Sequence, residues 1–282
     1  SIGVRAFGGC KSLTGITIGE GVTSIGKEAF SWCSRLTSMT IPESVTSIGE
    51  ATFYNCSSLT SITIGNSVTS IGERAFYGTS LTNITIPDGV TGIGEWAFRG
   101  CTILTDITIP DGVTSIEYAA FADCSSLTSI TIPDSVTSIG ELAFDKCEGL
   151  TSITIPDSVT SIEAGAFQFC TSLTSITIPD NVTSIGRSAL FFCSSLAIIT
   201  IPDSVTSIGD NTFSGCTSLT TIEVGAGNVN YTGFNGVLFN KEKTTLHTYP
   251  AGRTEASYTI PDSVTSIGGG AFFACSSLTT IE

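Results

Sequence analysis

A 23-residue unit that recurs along nearly the whole chain is the feature that most constrains the fold. One copy begins at Leu127 and reads LTSITIPDSVTSIGELAFDKCEG. The first residues of the copies are Leu13, Leu36, Leu59, Leu81, Leu104, Leu127, Leu150, Leu173, Leu196, Leu219 and Leu278. The spacing is 23 residues except for a 22-residue copy starting at Leu59 and a 59-residue gap before Leu278. A fixed period of this length predicts a solenoid, in which each rung packs only on its neighbours.

Each copy predicts two short strands and a turn. Alternating apolar residues in 127–132 predict a half-buried strand, which Pro133 ends because proline cannot donate a ladder hydrogen bond. Residues 136–139 offer two more inward apolar side chains and predict a second strand. The spacing of Ala, Phe and Cys in 143–147 predicts a helical or 3₁₀ turn with these three side chains on its inner face.

Stacked rungs place like residues on like, so the repeat predicts ladders of buried side chains. The phenylalanine ladder comprises Phe7, Phe30, Phe53, Phe76, Phe98, Phe121, Phe144, Phe167, Phe213 and Phe272, with Leu190 as an exchange. The ten cysteines also share one position, which Thr79 takes in the short copy; they are Cys10, Cys33, Cys56, Cys101, Cys124, Cys147, Cys170, Cys193, Cys216 and Cys275. One cysteine per rung predicts a buried thiol ladder, with disulfides or a metal site as alternatives.

The unit LxxIxIPxxVxxIGxxAFxxC resembles the BspA-like, Treponema-type class of leucine-rich repeats. The resemblance implies a curved, right-handed superhelix of about 12 rungs, mainly β, with a parallel sheet on the concave face. It also implies a cell-surface or secreted protein of bacteria or protozoan parasites. Members of the class are associated with adhesion to host cells and to extracellular-matrix proteins such as fibronectin.

The charge and the termini limit the possible partners. The net charge of −14 argues against binding nucleic acid or inserting at an anionic membrane, and it suits basic partners or divalent cations. No apolar run is long enough to span a bilayer, and no signal peptide opens the chain. Residues 1–3 match the middle of a repeat, so we expect 1–282 to be a single solenoid cut from a longer protein. Uncapped rungs could also associate end to end with other copies.

Residues 223–258 break the repeat and predict an irregular insertion. Residues 236–240 and 244–249, joined by a polar turn at 241–243, predict a β-hairpin. The insertion is either a spacer or stiffening hairpin, or a contact site with a partner. Its candidate contact residues, together with Glu223 at its start, are Tyr231, Phe234, Lys241, Lys243, His247, Tyr249 and Arg253.

Polar residues after each leucine predict an exposed face of Ser and Thr side chains. Thr131 and Thr154 represent its regular pattern, and Asn83, Asp106, Ala197, Ile198 and Glu223 depart from it. The face is either a solvated β-surface or a contact face of low specificity. An ice-binding threonine array is a remote alternative, because curvature and the mixed Ser/Thr pattern count against it.

An acidic column follows the proline of most copies: Glu43, Asp88, Asp111, Asp134, Asp157, Asp180, Asp203 and Asp262. We expect these carboxylates to accept hydrogen bonds from the turn backbone, as Asx residues do. Divalent cations could bind them instead, but the chain has no EF-hand-like loop.

The repetition of one rung argues against an enzyme, because catalysis needs different groups converging in a pocket. The only histidine, His247, is expected to be exposed on a strand, and the sequence suggests no cofactor. The function predicted from the sequence is a non-enzymatic surface adhesin that binds a host or microbial protein or glycan. The competing interpretation is a structural spacer that presents another domain.

Overall fold

The computed structural model describes residues 1–282 as a parallel-sheet β-solenoid of about 11 turns of about 23 residues. The solenoid predicted from the repeat is therefore confirmed. The structure has about 11 turns, close to the expected 12 rungs. Ser257 pairs with Thr280, which aligns Glu255 with Leu278, so Glu255 begins the rung that follows Leu219. The insertion thus lengthens one rung to 36 residues and does not form rungs of its own.

The strands are short and number 23. They are β1 (Ser38–Ile41), β2 (Ser47–Ile48), β3 (Ser61–Ile64), β4 (Ser70–Ile71), β5 (Asn83–Ile84), β6 (Gly92–Ile93), β7 (Asp106–Thr108), β8 (Ser115–Ile116), β9 (Ser129–Thr131), β10 (Ser138–Ile139), β11 (Ser152–Thr154), β12 (Ser161–Ile162), β13 (Ser175–Thr177), β14 (Ser184–Ile185), β15 (Ile198–Ile201), β16 (Ser207–Ile208), β17 (Thr221–Val224), β18 (Tyr231–Phe234), β19 (Val237–Asn240), β20 (Thr245–Thr248), β21 (Ser257–Tyr258), β22 (Ser266–Ile267) and β23 (Thr280–Ile281).

Strands β1 to β17 alternate between two parallel series. The odd-numbered strands follow the leucine column and form the first series; the even-numbered strands form the second. Pairing joins equivalent residues of successive rungs, so Ser129 lies opposite Asp106 and Ser138 lies opposite Ser161. The 23-residue period therefore sets the register.

The core is a stack of ladders that runs through the solenoid. A single cluster of 69 buried residues contains the Leu, Ile, Val, Phe and Cys columns. The phenylalanine ladder is confirmed: the rings of Phe121 and Phe144 are 5.6 Å apart between centroids, and those of Phe144 and Phe167 are 5.3 Å apart, each pair within 6° of parallel. Each ring is thus covered by the rungs on both sides, which a single rung could not achieve.

The predicted helical or 3₁₀ turn is wrong, because the chain contains no helix. Two positions in each rung have positive φ, as at Leu142 (58°) and Lys146 (57°). The intervening Phe144 N–H then donates to Ala166 O of the next rung (2.8 Å), while Cys147 N–H donates to Phe144 O within the rung (3.2 Å). A 3₁₀ segment would keep both bonds within its own rung. Because the φ angles of the turn alternate between negative and positive values, some of its N–H groups point to the next rung and form hydrogen bonds there.

The cysteine column is confirmed as a packing position. All ten cysteines are free thiols and eight are buried; Cys10 is exposed and Cys275 is intermediate. The buried thiols also donate hydrogen bonds to the preceding rung, as Cys147 Sγ does to Phe121 O (3.2 Å). Burial raises the pKa of the Cys56 thiol to about 12, so the ladder consists of neutral thiols.

Candidate functional site

The exposed side chains of the first-series strands form one face, which we call the Ser/Thr face. Hydroxyls that directly follow the leucine are engaged within the chain; for example, Thr128 Oγ1 donates to Thr105 O (3.2 Å). The threonines four positions after the leucine, Thr131 and Thr154, are exposed, and their hydroxyls make no hydrogen bond within the chain. Only part of the predicted hydroxyl face is therefore free to bind a partner.

Two of the departures from the Ser/Thr pattern lie side by side. Asn83 of β5 pairs with Asp106 of β7, and both side chains are exposed. Ser129 Oγ in the next strand donates to Asp106 Oδ1 (3.4 Å). This row contains an amide, a carboxylate and a hydroxyl on three adjacent rungs.

A second group of departures lies at the end of the regular stack. Ile198 of β15 is 52% exposed at a position that is serine in six other rungs. In the same strand, Thr200 Oγ1 donates to Glu223 Oε2 of β17 (3.3 Å). This group thus combines an exposed apolar side chain with a carboxylate, and it adjoins the insertion through β17.

The insertion contains the predicted hairpin and one further strand. β19 and β20 pair antiparallel with a register shift at Leu238 and Phe239, which confirms the hairpin. β18, which the sequence did not predict, pairs antiparallel with the other edge of β19, and β20 joins β22 of the following rung. Leu238, Phe239 and Leu246 are fully buried. The insertion is therefore part of the core and not a loop laid on the surface.

The structure contradicts the prediction that Tyr249 contacts a partner. Tyr249 is only 2% exposed and its ring stacks on Phe272 at 5.4 Å between centroids. Cys275 Sγ lies 3.7 Å from Tyr249 O, the relationship that other cysteines have to the phenylalanine ladder. Tyr249 thus continues the ladder through the irregular rung, where its aromatic ring packs as phenylalanine does elsewhere.

Arg253 is held within the chain rather than free on the surface. Its guanidinium forms two hydrogen bonds with Glu255, at 2.7 and 3.3 Å, and it also donates to Asn235 O. The side chain is 18% exposed and lies over the ring of Tyr249. Glu255 occupies the position that is leucine in other rungs. The ion pair therefore lies where the long rung ends and the next rung begins.

The expectation that His247 is exposed is also wrong. The imidazole is half-buried against β16, with Nε2 3.3 Å from Ile208 O and Nδ1 3.0 Å from Thr248 Oγ1. Burial lowers the pKa of His247, although the nearby Asp210 acts in the opposite direction. Tyr231 packs edge-on against the ring, and its hydroxyl accepts a hydrogen bond from Ile208 N (2.9 Å). Both side chains attach the insertion to the preceding rung.

Among the predicted insertion residues, Phe234 and Lys241 are exposed and Lys243 is half-buried. Phe234 is 39% exposed, and Lys243 Nζ lies 3.8 Å from the centroid of its ring. Gly233, the residue before Phe234, packs against the backbone of β17. Lys241 bonds to Asn228 O instead. The exposed part of the insertion thus lies beside the strand that carries Glu223.

The turn that follows the proline of each copy does not use its acidic residue as expected. The aspartates of the acidic column are exposed, and their carboxylates accept no hydrogen bond from the turn backbone. The next residue bonds instead: Ser135 Oγ donates to Val113 O of the preceding rung (2.6 Å). No group of three or more His, Cys, Asp or Glu side chains is arranged to hold a metal ion.

Comparisons with known proteins agree with this architecture. The model of the BspA type leucine rich repeat region matches residues 1–105, 91–220, 138–250 and 252–282. A leucine rich cell surface protein of Faecalibacterium prausnitzii is similar at 35% identity, with 79% of this chain and 76% of that chain covered and a TM-score of 0.51. No curated protein matches the chain.

Two further solved structures are similar. A leucine-rich repeat protein of Eubacterium ventriosum has 31% identity over 63% of this chain and 55% of its own, with a TM-score of 0.48. A leucine-rich repeat protein of Bacteroides ovatus has 27% identity over 99% of this chain and 82% of its own, with a TM-score of 0.46. This chain contains no helix that could cross a membrane.

Proposed function

The chain belongs to the BspA-type leucine-rich repeat family, and from this premise we propose that it is a recognition module of a cell-surface or secreted adhesin. Its partner is a protein or glycan of a host or of a neighbouring microbe. The similarity to a protein described as a leucine rich cell surface protein supports the location. The proposed contact surface comprises the end of the Ser/Thr face and the adjoining insertion.

The exposure of Ile198 is the observation that carries this proposal. An isoleucine that is 52% exposed contributes little to folding, and serine fits the same strand position in six other rungs. The neighbouring Glu223 and the Phe234–Lys243 pair add charge and aromatic surface on the adjoining elements. An apolar residue surrounded by polar groups is typical of the centre of a protein interface.

The chemistry of the surface favours a recognition role over catalysis. His247 faces a backbone carbonyl and a threonine hydroxyl, and it is packed against the preceding rung. Neither partner makes it a general base aimed at a substrate. The exposed groups instead offer apolar area, hydroxyls and single charges, which suit binding.

The test is surface plasmon resonance against immobilised fibronectin, fibrinogen and mucin at physiological salt. We expect saturable binding to at least one of them by the intact chain. Ile198→Ser restores the common residue of the column and should weaken binding at least tenfold, and Phe234→Ser should do the same. Phe273→Ser, which removes an exposed aromatic outside this surface, should leave binding unchanged.

A structural spacer is the second candidate, and the uniform hydroxyl ladder favours it. Thr37, Thr60, Thr105, Thr128 and Thr174 each donate to the carbonyl of the preceding rung, so this part of the face stabilises the rod. The same bonds remove threonine donors from any ice-binding array. Absence of binding by a folded chain to all three ligands would favour the spacer.

A further inference from the structure

Most aromatic residues outside the core ladder lie on a surface that the proposed function does not use. We call it the turn face: it is formed by the two positive-φ positions of each rung and the residues beside them. Both tryptophans and three of the six tyrosines of the chain occupy it within five successive rungs. They are Trp32, Tyr54, Tyr77, Trp96 and Tyr118.

Trp32 stands at a positive-φ position that is glycine in four other rungs and a non-glycine residue, such as Phe169 or Phe192, in the rest. Its φ is 60°, and the equivalent residues Gly9, Gly78, Gly100 and Gly215 have φ between 64° and 78°. A bulky side chain is strained in this region of backbone conformation, which glycine adopts freely. Trp32 is nevertheless 50% exposed, so little core packing offsets the strain. A tryptophan that is half exposed at a position where glycine or a small residue would fit points to a binding role.

The aromatic side chains are in contact with one another and with cations. The ring of Trp32 is 5.6 Å from that of Tyr54, and Tyr54 stacks on Tyr77 at 4.9 Å. The Arg74 guanidinium lies 4.1 Å from the centroid of Trp96, which in turn contacts Tyr118 at 5.0 Å. These contacts fix the rings in place, so an arriving ligand would meet a pre-organised surface.

A groove of about 220 Å³ opens between the first of these rings. Trp32, Tyr54 and Arg74 line it together with Ser31, Glu28 and Glu50. Its charges are already paired: Glu28 bonds Arg5 at 2.6 Å, Glu50 bonds Lys27 at 2.7 Å, and Arg74 pairs with Glu73. The groove therefore offers rings and fixed polar groups without a net charge.

We propose that this groove binds a neutral carbohydrate through a pyranose ring. The C–H face of a pyranose packs against an exposed aromatic ring, and its hydroxyls can donate to Glu28 and Glu50 and accept from Arg74. The paired charges give no advantage to a cationic or an anionic ligand. An aromatic wall with a few fixed polar groups is a typical small-ligand site. The site is separate from the surface of the proposed function, and either can fail without the other.

Electrophoresis through gels containing a β-glucan, a mannan, a galactan or a xylan tests the proposal. We expect at least one polysaccharide to retard the intact chain. Trp32→Gly should weaken the apparent affinity at least tenfold, with no fall in the thermal midpoint because glycine fits the backbone at this position. Phe192→Gly makes the matched change at the same position of a distant rung (φ 57°) and should leave retardation unchanged.

A fluorescence titration gives an independent measurement. In a Trp96→Phe background Trp32 is the only tryptophan, so a neutral oligosaccharide should alter its emission directly. Failure of all four polysaccharides to retard the chain would overturn the proposal, as would retention of binding by Trp32→Gly and by Tyr54→Ala. Binding of a proline-rich peptide in place of sugar would assign the groove to a peptide partner instead.

Discussion

The side-chain amide of Asn228 donates to the carbonyl oxygen of Val205 at 3.0 Å, although Asn228 stands at the valine position of the following rung. It also donates to Pro202 O at 2.8 Å. Its Oδ1 accepts from the backbone N–H groups of Asn230 (2.9 Å) and Tyr231 (2.8 Å). The residue is fully buried. One side chain therefore joins the last regular turn to the start of the insertion and satisfies four backbone groups.

Asn228→Ala should destabilise the insertion by about 2–4 kcal/mol, because it leaves several buried backbone groups without partners. The urea midpoint, followed by circular dichroism, measures this effect. Asn230→Ala is the control, since only the backbone of Asn230 takes part in these bonds. Equal midpoints for the two variants would contradict the bridging role.

The sequence predicts the regular rungs well because a single period determines several features at once. The spacing that places Phe121 above Phe144 also sets the strand register and buries the thiols. The turn at Leu142 and Lys146 was not predictable in the same way. Residues as different as Glu28 and Ala51 occupy the first positive-φ position, and glycine stands there only at Gly165 and Gly270, so the sequence gives no consistent signal for it.

The candidate sites were less predictable, because burial in the insertion depends on contacts between distant rungs. Tyr249 and His247 are polar-aromatic residues in a non-repeating segment, which suggested exposure. The structure places Tyr249 in the phenylalanine ladder and His247 against Ile208. Asn228 lies nine residues after Leu219, at the position that is valine in other rungs, and this alignment is the sequence feature that indicates a buried segment.

At two neighbouring residues, one with positive φ and one without, we expect substitution by glycine to change stability in opposite directions. Ser188 has a φ of 56°, whereas its exposed neighbour Arg187 does not have positive φ. Ser188→Gly should raise stability by about 0.5–1 kcal/mol, because the relief of left-handed strain exceeds the added flexibility of the unfolded chain. Arg187→Gly should instead lower it by about 0.5–1 kcal/mol. Urea midpoints followed by circular dichroism compare them; equal shifts in one direction would count against the argument.

From the thiol ladder we expect three levels of cysteine reactivity. Burial raises the pKa of both Cys56 and Cys216 to about 12, so about one thiol in ten thousand would be ionised at pH 8 even if reagent could reach it. In the native chain, an aromatic disulfide reagent at pH 8 should label Cys10 quickly and Cys275 slowly. The other eight should react only in denaturant. Fast native labelling of more than two thiols would show that the ladder is open.

Because the imidazole of His247 is half-buried, we expect the protein to lose stability at mildly acidic pH. Its pKa is lowered in the folded chain from the ordinary value of 6.5 because burial disfavours the imidazolium. Below pH 6.5 the unfolded chain therefore binds a proton that the folded chain binds less readily, and stability falls as the pH decreases towards the folded pKa. Above pH 6.5 this contribution to stability is fully present. The slope in this window is at most about 1.4 kcal/mol per pH unit.

His247→Gln separates this effect from the titration of carboxylates. The glutamine amide can still donate towards Ile208 O, but it does not titrate. Urea midpoints at pH 7.5 and pH 5.0 should differ more for the native chain than for the variant, because carboxylates contribute equally to both. Asp210 favours the charged imidazole, so Asp210→Asn should steepen the pH dependence of the native chain. Identical pH dependence of the native chain and His247→Gln would mean that the imidazole is solvated in solution and does not anchor the insertion.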